Sequence, residues 1–363
     1  MLNGIHLVDF GNHRNTRLTF GPMTALVGQN GSGKTTVMRA IRAIATALSE
    51  GVAEEIDVTN IRRGFQHAFV AASREESGRN GAHDFGVIVS ERGTAYFRHL
   101  RVKEDQVWMP NPLAAAAQGP VAATKPKDRW MCRYFKTNGA TLQGPSYSEE
   151  MPPRLGEDGT NLAWTLNYLI SYDPECFSRI MGDLKQVVPQ VLRVRSRAVP
   201  ITKIERRTVT VEGQIHPIDY RTTVMGQELI FDMTSGGDLP AAAVSEGTLV
   251  VLAILTLVHY SDADLIMVDD IEMALHPHAQ RNLMQKLLQI LKSHPKLQII
   301  TSTHSPYVVD EIAAGDVWVF APDKEGCAVS SSTLLEMVLV RVRLRVYWLK
   351  RSLKFETTAR ERH

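Results

Sequence analysis

Gly28-Gln29-Asn30-Gly31-Ser32-Gly33-Lys34-Thr35 decides the fold. The stretch satisfies Gly-x-x-x-x-Gly-Lys-Thr at every required position. Before it, Met23 to Val27 is a short apolar run that reads as a buried strand. After it, Val37, Ile41, Ile44 and Leu48 recur at helical spacing. Strand, glycine loop and helix in that order can cradle a polyphosphate: glycines admit close approach of backbone N–H groups, and the helix N-terminus adds partial positive charge. On this reading Gly28, Asn30, Gly31, Ser32, Gly33, Lys34, Thr35 and Thr36 form a nucleotide-binding set. Lys34 can reach the β- and γ-phosphates, and the Thr35 hydroxyl can hold Mg²⁺. The plainer alternative is a chance glycine-rich loop, which the matching flanks argue against.

Downstream, Leu265-Ile266-Met267-Val268-Asp269-Asp270 reads as a buried strand ending in two carboxylates. Doubly wound sheets bind ligands beyond the carboxyl ends of their strands, which is where these acids fall. Asp269 is expected to hold Mg²⁺ through water and Asp270 to polarise the attacking water. Glu272 competes for that second role. A pair of helix-capping acids is the alternative. Around this strand, elements alternate: a helix over 247–259, an amphipathic helix over 278–291, a buried strand over 297–301, a short helix over 306–313 and a strand over 317–320. Such alternation means a parallel α/β core. The first strands, around Ile5, Leu7 and Phe10 and over 16–20, open it.

Between the two ends the signals weaken. Residues 85–89 and 94–101 read as strands joined by a turn at Glu91-Arg92-Gly93. Residues 111–156, rich in Ala, Pro, Gly and Lys, read as an irregular excursion. Helices are expected over 161–170 and 174–188, separated at Asp173-Pro174, and a small meander over 191–224. The expected organisation is a core split between 1–50 and 241–330, a middle lobe over 51–240 and a basic tail over 331–363. No repeat or sustained heptad pattern is present, which argues against a long coiled-coil arm.

The 363 residues are 44% hydrophobic, 22% charged and 7% aromatic, which excludes a disordered, collagen-like or disulfide-built chain. The net charge of +2 hides an asymmetry. From Arg341 onward, eight basic residues face two acidic ones, so this stretch carries +6 and the remainder −4. Such a tail suits nucleic acid, an acidic partner or a membrane surface, or is a solvated helix end. Cys132, Cys176 and Cys327 are widely spaced, which fits neither a disulfide framework nor a zinc site and suits a reducing compartment. Asp9 and Arg14 interrupt what a secretion signal would need. The longest apolar run, 249–258, is too short to span a bilayer. A cytoplasmic protein without membrane insertion is expected.

The motifs together resemble the ATP-binding-cassette ATPases, which couple a phosphate loop to a signature motif, an acidic strand and a switch histidine. Val244-Ser245-Glu246-Gly247-Thr248 stands where the signature belongs, at the mouth of a helix. Thr301-Ser302-Thr303-His304-Ser305-Pro306 stands where the switch belongs, after the next strand. Leu275-His276-Pro277-His278 follows the acids, as in the SMC, RecF and OLD branch. The similarity is greatest to standalone bacterial AAA-type ATPases of that branch, many of them subunits of anti-phage systems. Asp158-Gly159-Thr160-Asn161-Leu162-Ala163 resembles a motif of their middle lobe. The implied fold is an α/β, ABC-type P-loop ATPase core split by a middle α+β lobe. The departures are Asp270 where the family usually has Glu, Ser-Glu-Gly for Ser-Gly-Gly, a tail without counterpart, and a Mg-sensing glutamine for which Gln66 is the weak candidate.

The resemblance implies a dimer clamped by ATP. Ser245 and the Gly247 N–H complete the γ-phosphate site of the other subunit, and His304 reports the γ-phosphate. It further implies a homo-oligomeric, ATP- and Mg²⁺-dependent switch regulating a separate effector, a nuclease or other toxin in phage defence or DNA metabolism, with DNA as a candidate partner. The chain runs on about 60 residues past His304, too few for another typical domain, so a nuclease is expected on a partner chain. Two other readings share the motifs: the ATPase subunit of a membrane transporter, and a structural clamp with negligible turnover, motivated by Asp270. Two further clusters stay open. Glu272, His276 and His278 could be metal ligands, though Pro277 between the histidines removes helical pairing. Arg193, Arg195 and Arg197, with Lys203, Arg206 and Arg207 nearby, either grip a phosphate backbone or guard an exposed strand.

Overall fold

The structure, a computed structural model, describes residues 1–50, 67–75, 82–90, 93–98, 102–103, 106–107, 131–136, 138–211, 214–323 and 326–331. Gln66, the first part of the excursion (111–130) and the basic tail from 332 lie outside them. In chain order the elements are β1 (Leu2–Phe10), β2 (His13–Thr19), β3 (Met23–Gly28), α1 (Lys34–Glu50), β4 (His67–Glu75), β5 (Ala82–Ser90), β6 (Gly93–Arg98), β7 (Val102–Lys103), β8 (Gln106–Val107) and β9 (Cys132–Lys136). There follow α2 (Gly139–Gln143), α3 (Leu162–Tyr172), α4 (Pro174–Val187), β10 (Val191–Val211), β11 (Gln214–Met233), β12 (Asp238–Pro240), α5 (Glu246–Tyr260), β13 (Leu265–Asp269), α6 (Pro277–Ser293), β14 (Gln298–Thr303), α7 (Pro306–Val309), β15 (Val317–Asp323) and β16 (Gly326–Ser331). They form two compact units, one of residues 1–134, 262–272 and 284–363, the other of 135–261 and 273–283.

The first unit is built on a sheet of order β16-β15-β3-β14-β13-β9. β15, β3, β14 and β13 are mutually parallel. All of β13 and β14 is buried, as is β3 up to Val27, so their unbroken apolar runs are those of strands covered on both faces. α1 presents Val37, Met38, Ile41 and Ile44 as one stripe to a core that also holds Leu2, Ile5, Leu7, Phe10 and Leu18. β1 and β2 open an antiparallel sheet of order β2-β1-β4-β5-β6. β14 lies between β3 and β13, so the phosphate loop, the acids and His304 leave the sheet at neighbouring carboxyl ends.

The excursion contains a strand the sequence reading passed over: β9, at the sheet edge. Being short and half-exposed, it has no apolar run to betray it. α7 covers only Pro306–Val309, shorter than expected.

In the second unit, α4 starts where Pro174 occupies the first turn and the Asp173 carboxylate accepts the Cys176 N–H at 2.9 Å. α5 is apolar all round and buried from Gly247 to Val258. Among the described residues no helix is long and apolar enough to cross a membrane. The expected meander is instead one hairpin, β10 and β11 paired from Val191–Met233 to Val211–Gln214. Val194, Leu229 and Phe231 are buried at its base, whereas Met225 and Ile204 farther along are more than half exposed.

Candidate nucleotide-binding site

β3 delivers the loop and α1 receives it. Gly31 and Gly33 have φ of 78° and 106°, left-handed backbone that a side chain would strain. Ser32 N–H donates to Gln29 O at 3.2 Å, and Val37 N–H to Gly33 O at 3.1 Å, opening the helix. Lys34 Nζ folds back over the loop to the carbonyls of Gly28 (2.7 Å) and Gln29 (3.0 Å). It also lies 3.2 Å from His304 Nε2. An ammonium can only donate, so this geometry makes His304 Nε2 the acceptor and puts the ring proton on Nδ1.

The acids face the loop. Asp269, 4% exposed, accepts Tyr134 OH at 3.0 Å and Thr35 Oγ1 at 3.4 Å through Oδ2, and Ser302 Oγ through Oδ1. Ser302 Oγ in turn accepts the Asp270 N–H at 2.7 Å, so one buried hydroxyl orients both acids. Asp270 turns the chain out of β13 with φ of 52°, which Asp tolerates better than most residues. Its Oδ1 lies 3.8 Å from His304 Nε2. A buried carboxylate beside the Thr35 hydroxyl is an all-oxygen donor set, which suits Mg²⁺.

Glu272 differs from its expected place as a rival to Asp270. Its Oε2 accepts Thr303 Oγ1 at 2.7 Å and its Oε1 accepts the His304 N–H at 2.6 Å. Both oxygens are thus engaged inside the segment that carries His304, and among the described residues no group of three or more His, Cys, Asp or Glu could hold a metal ion. Burial pushes its pKa up, partly offset by the His304 and Thr303 donors.

Two residues at the β1–β2 turn, unremarked in the sequence, hold the loop from its carbonyl side. Asn12 Nδ2 donates to Gly31 O at 3.1 Å. His13, fully buried, places Nε2 3.1 Å from Gly33 O and Nδ1 3.0 Å from Thr16 Oγ1. Because a carbonyl only accepts, Nε2 carries the proton and Nδ1 accepts from Thr16. Phe320 meets the ring edge-on at 6.0 Å. Burial lowers the His13 pKa. A Cβ on Gly33 would come within 2.5 Å of His13 Nε2, so glycine is required there by closeness as well as by φ. Tyr134 and Ser302 are the other site residues without an assigned role in the sequence reading. No motif marks Tyr134, and Ser302 stands in the switch motif with no role of its own, because their value lies in where β9 and β14 end.

In the second unit, Ser245 caps α5, its Oγ 2.8 Å from Thr248 Oγ1 and accepting the Thr248 N–H at 3.4 Å. Gly247 is buried, and a Cβ there would meet Ala274 O at 2.5 Å. The Asp158–Ala163 stretch is a turn feeding α3: Asp158 accepts the Thr160 N–H at 3.1 Å, and Asn161 Oδ1 accepts the Gly156 N–H at 2.7 Å. The arginine row is largely neutralised. Arg195 pairs with Asp238 at 2.6 Å and Asp232 at 2.7 Å, and Arg197 with Glu228 at 2.6 Å. Two of its three guanidiniums are therefore already spent on carboxylates, contrary to a phosphate-gripping face.

Residues 146–310 match the family model described as "AAA domain, putative AbiEii toxin, Type IV TA system", and residues 5–106 match a second AAA-domain model. The DNA replication and repair protein RecF of Synechococcus sp. (strain JA-3-3Ab) is 32% identical over 102 residues, covering 28% of this chain and 25% of that protein. RecF of Frankia alni is 42% identical over 72 residues, covering 20% of this chain and 18% of that protein. The chain therefore spans a quarter or less of the relatives it matches. The SMC head domain from Thermotoga maritima superposes with a TM-score of 0.51 at 13% identity, over 92% of this chain and 99% of that one. The Smc head domain with an extended coiled coil bound to the C-terminal domain of ScpA, from Pyrococcus furiosus, gives 0.56 at 13%, over 95% and 99%. These two likenesses speak for the fold. Family models, relatives and fold agree in supporting an ATPase of the SMC, RecF and OLD branch of the ABC type.

Proposed function

We propose that the chain binds and hydrolyses ATP, and that this event switches a dimer that regulates a separate effector. The observation that carries the reading is the convergence of Lys34, Thr35, Asp269, Asp270 and His304 at the carboxyl ends of three neighbouring parallel strands. Lys34, released from its carbonyls, neutralises the β- and γ-phosphates, and the loop N–H groups with the α1 N-terminus hold the rest. Gly28, Asn30, Gly31, Ser32, Gly33 and Thr36 shape that cradle. Thr35 and Asp269 would hold Mg²⁺, which supplies positive charge against the phosphates. Asp270 orients and polarises the attacking water. His304, between Lys34 and Asp270, contacts the γ-phosphate and reports its presence. Glu272 positions His304 instead of meeting substrate.

Ser245 and the Gly247 N–H, at the N-terminus of α5, serve the γ-phosphate of the other subunit. The match to a model named for the AbiEii toxin supports an effector of the toxin or nuclease kind, and the likeness to RecF supports a link to DNA metabolism. The test is the steady-state ATPase rate against protein concentration, with and without linear duplex DNA, with Lys34→Ala as the blank. A rate per protomer that climbs with concentration supports the composite dimer. Stimulation by DNA makes nucleic acid the trigger, and indifference to it makes the trigger a protein. A rate equal to the blank at every concentration overturns the reading.

A further inference from the structure

A cavity of about 330 Å³ lies in the second unit. One wall is α4, whose Phe177, Met181 and Lys185, spaced four apart, share one helix stripe. The other wall is the consecutive run Leu192 to Ser196 of β10. A register shift between Val191 and Arg193 bulges β10 at Leu192, so neighbouring residues there share a side, and the groove lies against this stretch of the sheet's edge. That edge is open: β10 is the terminal strand of the sheet β10-β11-β12. The floor is apolar, and Leu192 is 51% exposed. Beside it stand Lys185 and Arg193, cations with no ion pair among the described residues, unlike Arg195 and Arg197.

We propose that this groove takes an extended segment of a partner protein in which apolar residues alternate with Asp or Glu, added as a strand on β10. The backbone of the guest pairs with the open edge, its apolar side chains enter the groove beside Phe177 and Met181, and its carboxylates meet Lys185 and Arg193. Charge excludes the occupants nearest to hand. A second copy pairing β10 edge to edge brings the uncompensated cations Arg193 and Lys185 up against their own images. The chain's own stretch from Arg341 carries the same positive sign. The interaction is independent of the nucleotide site, and nothing in it requires turnover.

The test is fluorescence polarisation on the full chain with three labelled, end-capped peptides: alternating Glu and Val, alternating Lys and Val, and the Glu–Val peptide N-methylated on the amides of one edge. The Glu–Val peptide is expected to bind saturably, the Lys–Val peptide not to, and N-methylation to weaken binding at least about tenfold, because the strand bonds go. The double variant Lys185→Glu/Arg193→Glu should lose about tenfold in affinity for Glu–Val and gain binding to Lys–Val. That gain also shows the variant to be folded. Equal binding of both charged peptides, indifference to N-methylation, or no binding at millimolar peptide overturns the proposal. So does a wild-type dimer in sedimentation velocity that the double variant disperses, which would make the second copy the occupant.

Discussion

Gly33 O receives two donors, Val37 N–H and His13 Nε2, both at 3.1 Å. A peptide's C=O and N–H point opposite ways, so fixing this carbonyl fixes the direction of the Lys34 N–H. His13→Ala should cost about 1–3 kcal/mol of stability from the lost bond and the space left, measured by urea unfolding. Burial holds the His13 pKa below 6.5, so between its folded value and 6.5 the unfolded chain binds the proton and the folded one does not. The stabilisation is therefore complete above pH 6.5 and drains away as pH falls through that window. A melting series from pH 8 to 5 should show this slope in the wild type and lack it in His13→Asn, the other histidines cancelling. Glu272 has the opposite sign. Its pKa is raised above 4.5, so stability falls as pH rises from there to the folded value, and Glu272→Gln should flatten that slope. The same variant separates bracing from catalysis. Glu272→Gln should keep turnover within about tenfold, because an amide oxygen still accepts the His304 N–H. Asp270→Asn should lose about a hundredfold or more in a single-turnover assay. The loop and the paired acids were legible from residue order alone, because their chemistry depends on spacing along the chain. His13, Tyr134 and the role of Ser302 were not, because each meets its partner from a distant part of the chain.

Strands declared themselves in proportion to their burial. β3, β13 and β14, covered on both faces, are runs of apolar residues and fall within a residue or two of where the sequence puts them. β9 is an edge strand and leaves no such trace. The β10–β11 hairpin replaces the small meander expected over 191–224, and it carries Pro200 inside β10, where a central strand would forbid it. An edge strand tolerates it, since the missing N–H costs nothing on the open side. Gln298 shows the limit of pattern reading within a correct strand. Its side chain is fully buried at the start of β14. There Oε1 accepts the Leu2 N–H and Nε2 donates to Leu2 O and Gly21 O, each at 2.9 Å. One amide thus ties the first residues of β1 to the segment entering β3. Gln298→Leu fills similar space but leaves three backbone groups without these partners. It should lower stability by about 2–5 kcal/mol in equilibrium urea unfolding, and a loss under about 0.5 kcal/mol would contradict the tie.

At the scale of the whole molecule, the phosphate loop, both aspartates and His304 belong to one compact unit, whereas Ser245 and Gly247 belong to the other. A site completed in trans makes a demand that one completed within a single chain does not. Lys34→Ala removes the phosphate grip but leaves Ser245 intact. Ser245→Arg obstructs the α5 N-terminus but leaves the loop intact. On the proposed arrangement neither homodimer holds a complete site. A heterodimer of the two holds one, formed by the loop of the Ser245→Arg chain and the Ser245 of the Lys34→Ala chain. Random assortment at equal concentrations makes half the dimers mixed, each with one good site of two, so about a quarter of the wild-type rate should return on mixing. The returned rate should rise with total protein, because assembly is by mass action. If both residues act on the same nucleotide within one chain, mixing returns nothing at any concentration. ATP binding by the Ser245→Arg chain, measured by equilibrium dialysis, separates that outcome from a variant that no longer folds.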